Sequence, residues 1–163
     1  MAVGIIRKGC ENLKISTKGR YGLRIMTDIA LRENEGCVSI KDIATRENLS
    51  EKYLEQIINH LSKNGLVRSV RGAKGGYLLS KSANEITVEE ILKATEGSLA
   101  PVACAADNDC CENYCDCVTS FIWTKIYDAV IDVVSNITLE DLAKRSVKSG
   151  KNASDCKQLD ANK

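Results

Sequence analysis

A change of hydrophobic period at Gly65 constrains this chain's fold more than any other feature of its sequence. Upstream of it, apolar residues recur every three or four positions. Leu23, Met26, Ile29 and Ala30 line one side of a first helix over about Lys18 to Glu33. Leu54, Ile57, Ile58 and Leu61 line a third helix, which Ser50 can cap and Gly65 can end. Between them, Ser39-Ile40-Lys41-Asp42 resembles a capping box opening a short helix to about Glu47. Downstream, Leu66 to Val70 and Tyr77 to Leu79 are β-prone runs joined by Arg71-Gly72-Ala73-Lys74-Gly75-Gly76, a hairpin with a basic, glycine-rich tip. Three helices followed by such a hairpin predict a winged helix-turn-helix, with Asn48-Leu49-Ser50 as the turn. On the third helix Lys52, Gln56, Asn59 and Lys63 lie opposite the apolar stripe and offer a polar, partly basic face.

The rest of the chain reads as helical. Thr87 to Glu90 is a capping box for a helix to about Glu96, and Thr119 to Asn136 is a long helix with two apolar stripes. One stripe is Ile122, Ile126, Ala129 and Val133; the other is Trp123, Tyr127, Val130 and Val134. One can cover its own domain and leave the other for a second copy of the chain. A last helix starts at Thr138 and ends near Arg145. The expected class is therefore mainly α, a winged helix-turn-helix with a small β-hairpin wing and a long C-terminal dimerisation helix.

The chain divides into four segments. Residues 1–12 do not share the periodicity of the helices after them and read as a non-native or disordered extension; 13–81 form the winged helix-turn-helix domain; 82–145 form a cysteine-loop and dimerisation region; 146–163 form a disordered tail.

Net charge of +1 conceals a division. Leu13 to Lys81 carries 13 Lys/Arg against 7 Asp/Glu, a balance of +6, while Ser82 to Lys163 carries 8 against 14, a balance of −6. The first part suits a polyanion and the second does not. No apolar run reaches the roughly 18 to 20 residues of a membrane span, so a cytoplasmic location is expected.

Five of the eight cysteines, Cys104, Cys110, Cys111, Cys115 and Cys117, fall within fourteen residues. In a reducing compartment, such clustering points to a metal rather than to disulfides. Thiolates are soft donors suited to an iron–sulfur cluster and equally to zinc, although the loop lacks paired Cys-x-x-Cys motifs; metal-free reactive thiols are the third reading. Cys37 and Cys156 stand apart as bystanders. Enzymatic chemistry is not expected: the only histidine, His60, lies on the outer side of the third helix without an acid partner, and Gly72 to Gly76 lacks the Gly-Lys-Ser/Thr ending of a phosphate loop.

Lys18-Gly19-Arg20-Tyr21, Tyr53-Leu54-Glu55-Gln56, Asn64-Gly65-Leu66-Val67, the wing Arg71 to Tyr77, and Ile137-Thr138-Leu139-Glu140-Asp141-Leu142 together resemble the Rrf-two family of winged helix-turn-helix regulators over Leu13 to Arg145. That resemblance implies a homodimeric, sequence-specific transcription regulator of palindromic double-stranded DNA, often with an iron–sulfur cluster as a sensor of redox state, nitric oxide or cluster supply. In that picture Lys18, Arg20, Lys63 and Lys74 hold phosphates, while Ser50, Tyr53, Glu55 and Gln56 reach base edges in a groove about 12 Å wide. Glu55 helps choose between operators, and Arg71 enters the minor groove. The implied cluster ligands are Cys104, Cys110 and Cys117, with Cys111, Cys115, an acidic side chain such as Asp116, or a group from the other subunit open for the fourth position. IscR-like sites place a histidine three residues after the last cysteine, and here that position is Ser120. The alternative within the family is a cluster-free, CymR-like regulator of cysteine and sulfur metabolism that works through thiols or a partner enzyme.

Overall fold

A computed structural model of the chain describes residues 15–72, 75–107 and 116–148. Its helices are α1 (Thr17–Leu31), α2 (Ile40–Glu47), α3 (Glu51–Lys63), α4 (Val88–Glu96), α5 (Ala103–Ala106), α6 (Ser120–Ser135) and α7 (Leu139–Lys148). Two strands, β1 (Val67–Val70) and β2 (Gly76–Leu79), pair antiparallel between α3 and α4.

Short polar side chains start α1, α2, α3, α4 and α7 by accepting from backbone N–H groups that have no carbonyl partner in the first turn. Ser16 accepts from Lys18, Ser39 from Asp42, and Ser50 from Tyr53. Thr87 and Glu90 form a reciprocal capping box, and Thr138 and Asp141 bond each other in the same way ahead of α7. Asn48 ends α2 in the left-handed region, at φ 53°, a conformation that asparagine tolerates better than most side chains. Its N–H and that of Leu49 close back on α2, so the chain reverses within three residues and enters α3.

The main core gathers Ile25, Met26 and Ile29 of α1, Ile43 of α2, Leu54, Ile57, Ile58 and Leu61 of α3, Leu66, Val67 and Leu79 of the hairpin, and Ile91 of α4. Truncating a fully buried Ile, Leu or Met of this core to alanine costs about 2–5 kcal/mol. The register Val67 to Leu79 and Val70 to Gly76 makes the wing, and a bridge between Val38 and Tyr77 anchors it to the segment before α2. Gly76 lies so close to the carbonyl of Val38 that a Cβ would have no room.

A smaller core, Val88, Leu92 and Leu99, is covered by Tyr127, Val130 and Ile131 of α6 and by Ile137. Leu139 N–H donates to Ile86 and Val88 N–H to Ile137, which fastens the α6–α7 link to the start of α4. Three boundaries differ from the sequence expectation. The first helix ends at Leu31, where a separate 3-10 turn over Glu33–Glu35 takes over. The last helix runs to Lys148, with Arg145 and Lys148 placed where a helix C-terminus favours cations. Cys104 lies in the short helix α5 rather than in open loop. Residues 1–12 and 149–163 lie outside the described residues. Among those described, no helix is long and apolar enough to cross a membrane.

Candidate nucleic-acid interface and cysteine segment

On α3 the four buried aliphatic residues face the core, and Glu51, Lys52, Glu55, Gln56, Asn59 and Lys63 are exposed around the remaining surface. The predicted base-reading residues Glu55 and Gln56 therefore point away from the core, on the same outer face as Lys63. Ser50 is exposed too, but its hydroxyl oxygen accepts from Tyr53 N–H at 3.3 Å and is committed to starting α3. His60 is exposed in the last turn, as the sequence suggested.

Tyr53 is half-buried. Its ring meets that of Tyr21 of α1 edge to face, with centroids 6.1 Å apart and planes at 88°. The guanidinium of Arg24 lies 5.5 Å from the Tyr21 ring centre, and its Nε pairs with Glu47 Oε2 at 2.5 Å. Sequence reasoning did not single out Arg24; its spacing from Tyr21 and Arg20 on one helix, three and four positions, was the available signal.

At the N-terminus of α1, Arg20 is exposed and Lys18 half-buried. In the wing, Arg71 and Gly72 are exposed beyond the last β pair; Lys74 lies outside the described residues. The basic residues named from sequence are thus spread over the start of α1, the end of α3 and the wing.

Cys104 lies on α5, which packs against α6, and Cys117 lies just ahead of α6. The Thr119 hydroxyl lies 3.2 Å from Cys117 Sγ. That hydroxyl, with the N–H groups of Thr119 and Ser120, holds the Cys117 thiol below its ordinary range. Ser120, at the position of the IscR-like histidine, donates its hydroxyl to Cys117 O at 2.8 Å and serves the start of α6. Cys110, Cys111 and Cys115 lie outside the described residues, and among the described residues no three metal-binding side chains gather. The chemistry of Cys104 and of a thiolate-favouring Cys117 fits an iron–sulfur group, since both are soft donors. Asp116, next to Cys117 in the chain, is exposed.

The outer surface of α6 is the other notable feature. None of its residues is fully buried, and Phe121, Ile122 and Val133 remain 67%, 45% and 58% exposed.

A family model described as Rrf2, iron-dependent transcriptional regulator, matches residues 15–145. The regulator CymR of Bacillus subtilis is 45% identical over 80% of this chain and 90% of its own length. The regulator IscR of Pectobacterium carotovorum is 42% identical over 80% of this chain and 79% of its own. Among solved structures, that of CymR, the global cysteine regulator of B. subtilis, superposes with a TM-score of 0.69 at 45% identity, covering 81% of this chain and 97% of that one. The structure of IscR from T. potens superposes with a TM-score of 0.65 at 41% identity, covering 86% and 90%. With three helices, the Asn48–Ser50 turn and the β1–β2 hairpin in this order, the chain belongs to the Rrf2 family of DNA-binding transcriptional regulators, which are not enzymes.

Proposed function

We propose that the chain acts as a homodimer whose grip on a palindromic operator is modulated by an iron–sulfur cluster. Two α3 helices enter successive major grooves, about 34 Å apart, and two wings follow the backbone. Lys18, Arg20, Lys63 and Lys74 meet phosphates, Glu55 and Gln56 meet base edges with Ser50 and Tyr53 beside them, and Arg71 enters the minor groove. Cys104, Cys110 and Cys117 hold the cluster, with Cys111 or Cys115 as a fourth ligand; the cluster supplies a redox-sensitive charge.

The observation that carries this reading is the position of Cys117. It lies three residues ahead of a helix whose inner side covers the Val88, Leu92 and Leu99 core and whose outer side leaves Ile122 and Val133 exposed. Residues that hold the cluster therefore also set how α6 begins. If α6 pairs with a second copy, a change at Cys117 tilts one reading helix against the other.

The test is purification without oxygen, with iron, sulfide and visible absorption measured beside operator affinity before and after air exposure. The reading expects a coloured protein whose colour is lost in Cys104→Ser and Cys117→Ser, and whose operator affinity changes with the cluster. A colourless, iron-free protein with full operator affinity overturns it. One observation favours the cluster-free alternative: the Ser120 hydroxyl is committed to Cys117 O and offers no imidazole at the place of the IscR-like histidine. Metal-free operator binding that responds to Cys117 alkylation supports that reading.

A further inference from the structure

We infer that Tyr21 and Arg24 are positioning residues for operator discrimination, fixing the rotation of α3 about its own axis. This rests on the reading of α3 as the helix that meets base edges.

Four side chains form one continuous line across three helices. Glu47 is the last residue of α2, and its Oε2 is buried without a hydrogen bond of good geometry. The charge of that oxygen is met by Arg24 Nε at 2.5 Å. The same guanidinium lies over Tyr21, and Tyr21 meets Tyr53 edge to face. Tyr53 is in the first turn of α3, where its N–H bonds the capping Ser50. The line therefore joins the end of α2 to the start of α3 on either side of the Asn48–Ser50 turn, through a helix that belongs to neither.

Its chemistry differs from that of the core beneath it. Leu54, Ile57, Ile58 and Leu61 fix where α3 sits, but aliphatic contacts are non-directional and tolerate a small roll of the helix. An edge-to-face pair and a cation held over a ring face depend on direction. Arg24 is half-exposed and both tyrosines are only partly buried, so the line adds little to burial.

Base reading needs the angle. Side-chain tips lie about 5–6 Å from a helix axis, so a roll of about 10° moves them by about 1 Å. That displacement removes a hydrogen bond from its usual 2.7–3.2 Å range. Gln56 is one turn beyond Tyr53 and Glu55 is next to it, so a roll released at Tyr53 reaches both. Phosphate contacts made by long basic side chains absorb the same shift, since they act largely as mobile charges. Loss of the line should therefore reduce discrimination between sequences and spare general DNA affinity.

The experiment uses the full chain, a duplex selected by the wild-type protein from a random pool, and a scrambled duplex of equal length. Tyr21→Leu is expected to lower the ratio of the two affinities at least fivefold, with scrambled-duplex affinity within twofold of wild type and an unchanged salt slope. Tyr21→Phe, which keeps the ring, is expected to keep the ratio. A wild-type ratio in Tyr21→Leu, or a parallel loss on both duplexes, overturns the inference. Should Tyr21→Leu not fold, Arg24→Gln decides in its place, because it removes the cation that joins Glu47 to the Tyr21 ring; a wild-type ratio there overturns the inference. Glu55→Ala and Gln56→Ala separate the two levels: if they also leave the ratio unchanged, the reading of α3 fails, and if only they lower it, the positioning role of Tyr21 alone fails.

Discussion

Ser16 gives both its backbone N–H and its hydroxyl to one oxygen of Glu96, at 3.2 and 2.7 Å, and so ties the N-cap of α1 to the last residue of α4. A carboxylate at that place also suits the positive end of the helix dipole. Gly19 makes the approach possible, because a Cβ there would overlap the same oxygen. Glu96→Ala is expected to destabilise the protein by about 1–2 kcal/mol. Gly19→Ala forces the carboxylate away in the wild-type background, but with Glu96 removed it gains the helix preference of alanine, about 0.5–1 kcal/mol. The double variant should therefore be more stable than the sum of the two changes, by about 1 kcal/mol in denaturant unfolding. Simple additivity would show that the contact carries no coupling.

A buried ion cluster joins α1 to α2. Asp28, 6% exposed, accepts from Arg46 Nε at 2.9 Å and Nη2 at 2.7 Å, and from Arg32 Nη1 at 2.5 Å. The bond to Asp28 raises the Arg46 pKa above its ordinary value. Removing the shared acceptor leaves two cations facing each other, whereas removing Arg46 leaves Asp28 paired with Arg32. Asp28→Asn should cost about 2–3 kcal/mol and Arg46→Gln about 1 kcal/mol, since both arginines reach solvent and recover hydration. Thermal unfolding of the two variants checks the order.

These two contacts mark the limit of what was legible in the sequence. Caps such as Ser39, Ser50 and Thr87, the wing, and the two faces of α6 are local or periodic, so spacing alone exposes them. Of the two α6 stripes, the one with Tyr127, Val130 and Val134 covers the core, and the one with Ile122 and Val133 stays outside. Ser16 with Glu96, Arg46 with Asp28, and Tyr21 with Tyr53 are pairs distant in sequence that only packing brings together. The cysteine count pointed to a site, but Cys110, Cys111 and Cys115, like Lys74, lie outside the described residues.

The capping box of α4 gives a pH dependence. Burial of Glu90 favours its neutral form, but the Lys81 ammonium and the Thr87 N–H outweigh that and hold the carboxyl below its usual range. A lowered pKa in the folded state contributes stability that is present at neutral pH and is lost as pH falls through the carboxylate range. Glu90→Gln should therefore be less stable than wild type at neutral pH, by about 0.5 kcal/mol after allowance for solvent screening, and the two should converge toward about pH 3. Unfolding midpoints measured across that span decide the matter, and a constant difference would place the effect elsewhere.

Exposed apolar residues on α6 give a prediction about assembly. Ile122 and Val133 lie on the side of the helix turned away from the Val88 and Leu92 core. A charge there does not disturb the domain but opposes burial against a second copy. Val133→Lys and Ile122→Lys should retain the wild-type unfolding profile of a folded chain and elute at monomer mass in light scattering, while wild type elutes as a dimer. A wild-type monomer, or a dimer unaffected by both changes, removes α6 from the interface.

Salt dependence separates the residues that hold DNA from those that read it. Removing one cation from a phosphate should lower the slope of log affinity against log salt by about 0.9. Arg20 and Lys63 are exposed on two different helices and offer charge without a fixed partner geometry, so Arg20→Gln and Lys63→Gln, each present in both protomers of a dimer, should weaken operator and scrambled duplex alike and reduce the slope by about 1.8 each. Gln56 is uncharged and stands on the outer face of α3; Gln56→Ala should leave the slope intact and cost about 1–3 kcal/mol on the operator alone. Glu55 adds a sign that neither effect mimics. A carboxylate facing a phosphate-rich surface is unfavourable unless a base amino group donates to it, so Glu55→Ala should raise affinity for scrambled DNA while lowering discrimination at one base pair. Titrations at two salt concentrations resolve all four variants, and a Glu55→Ala protein that loses affinity equally for every duplex would place that carboxylate outside the groove.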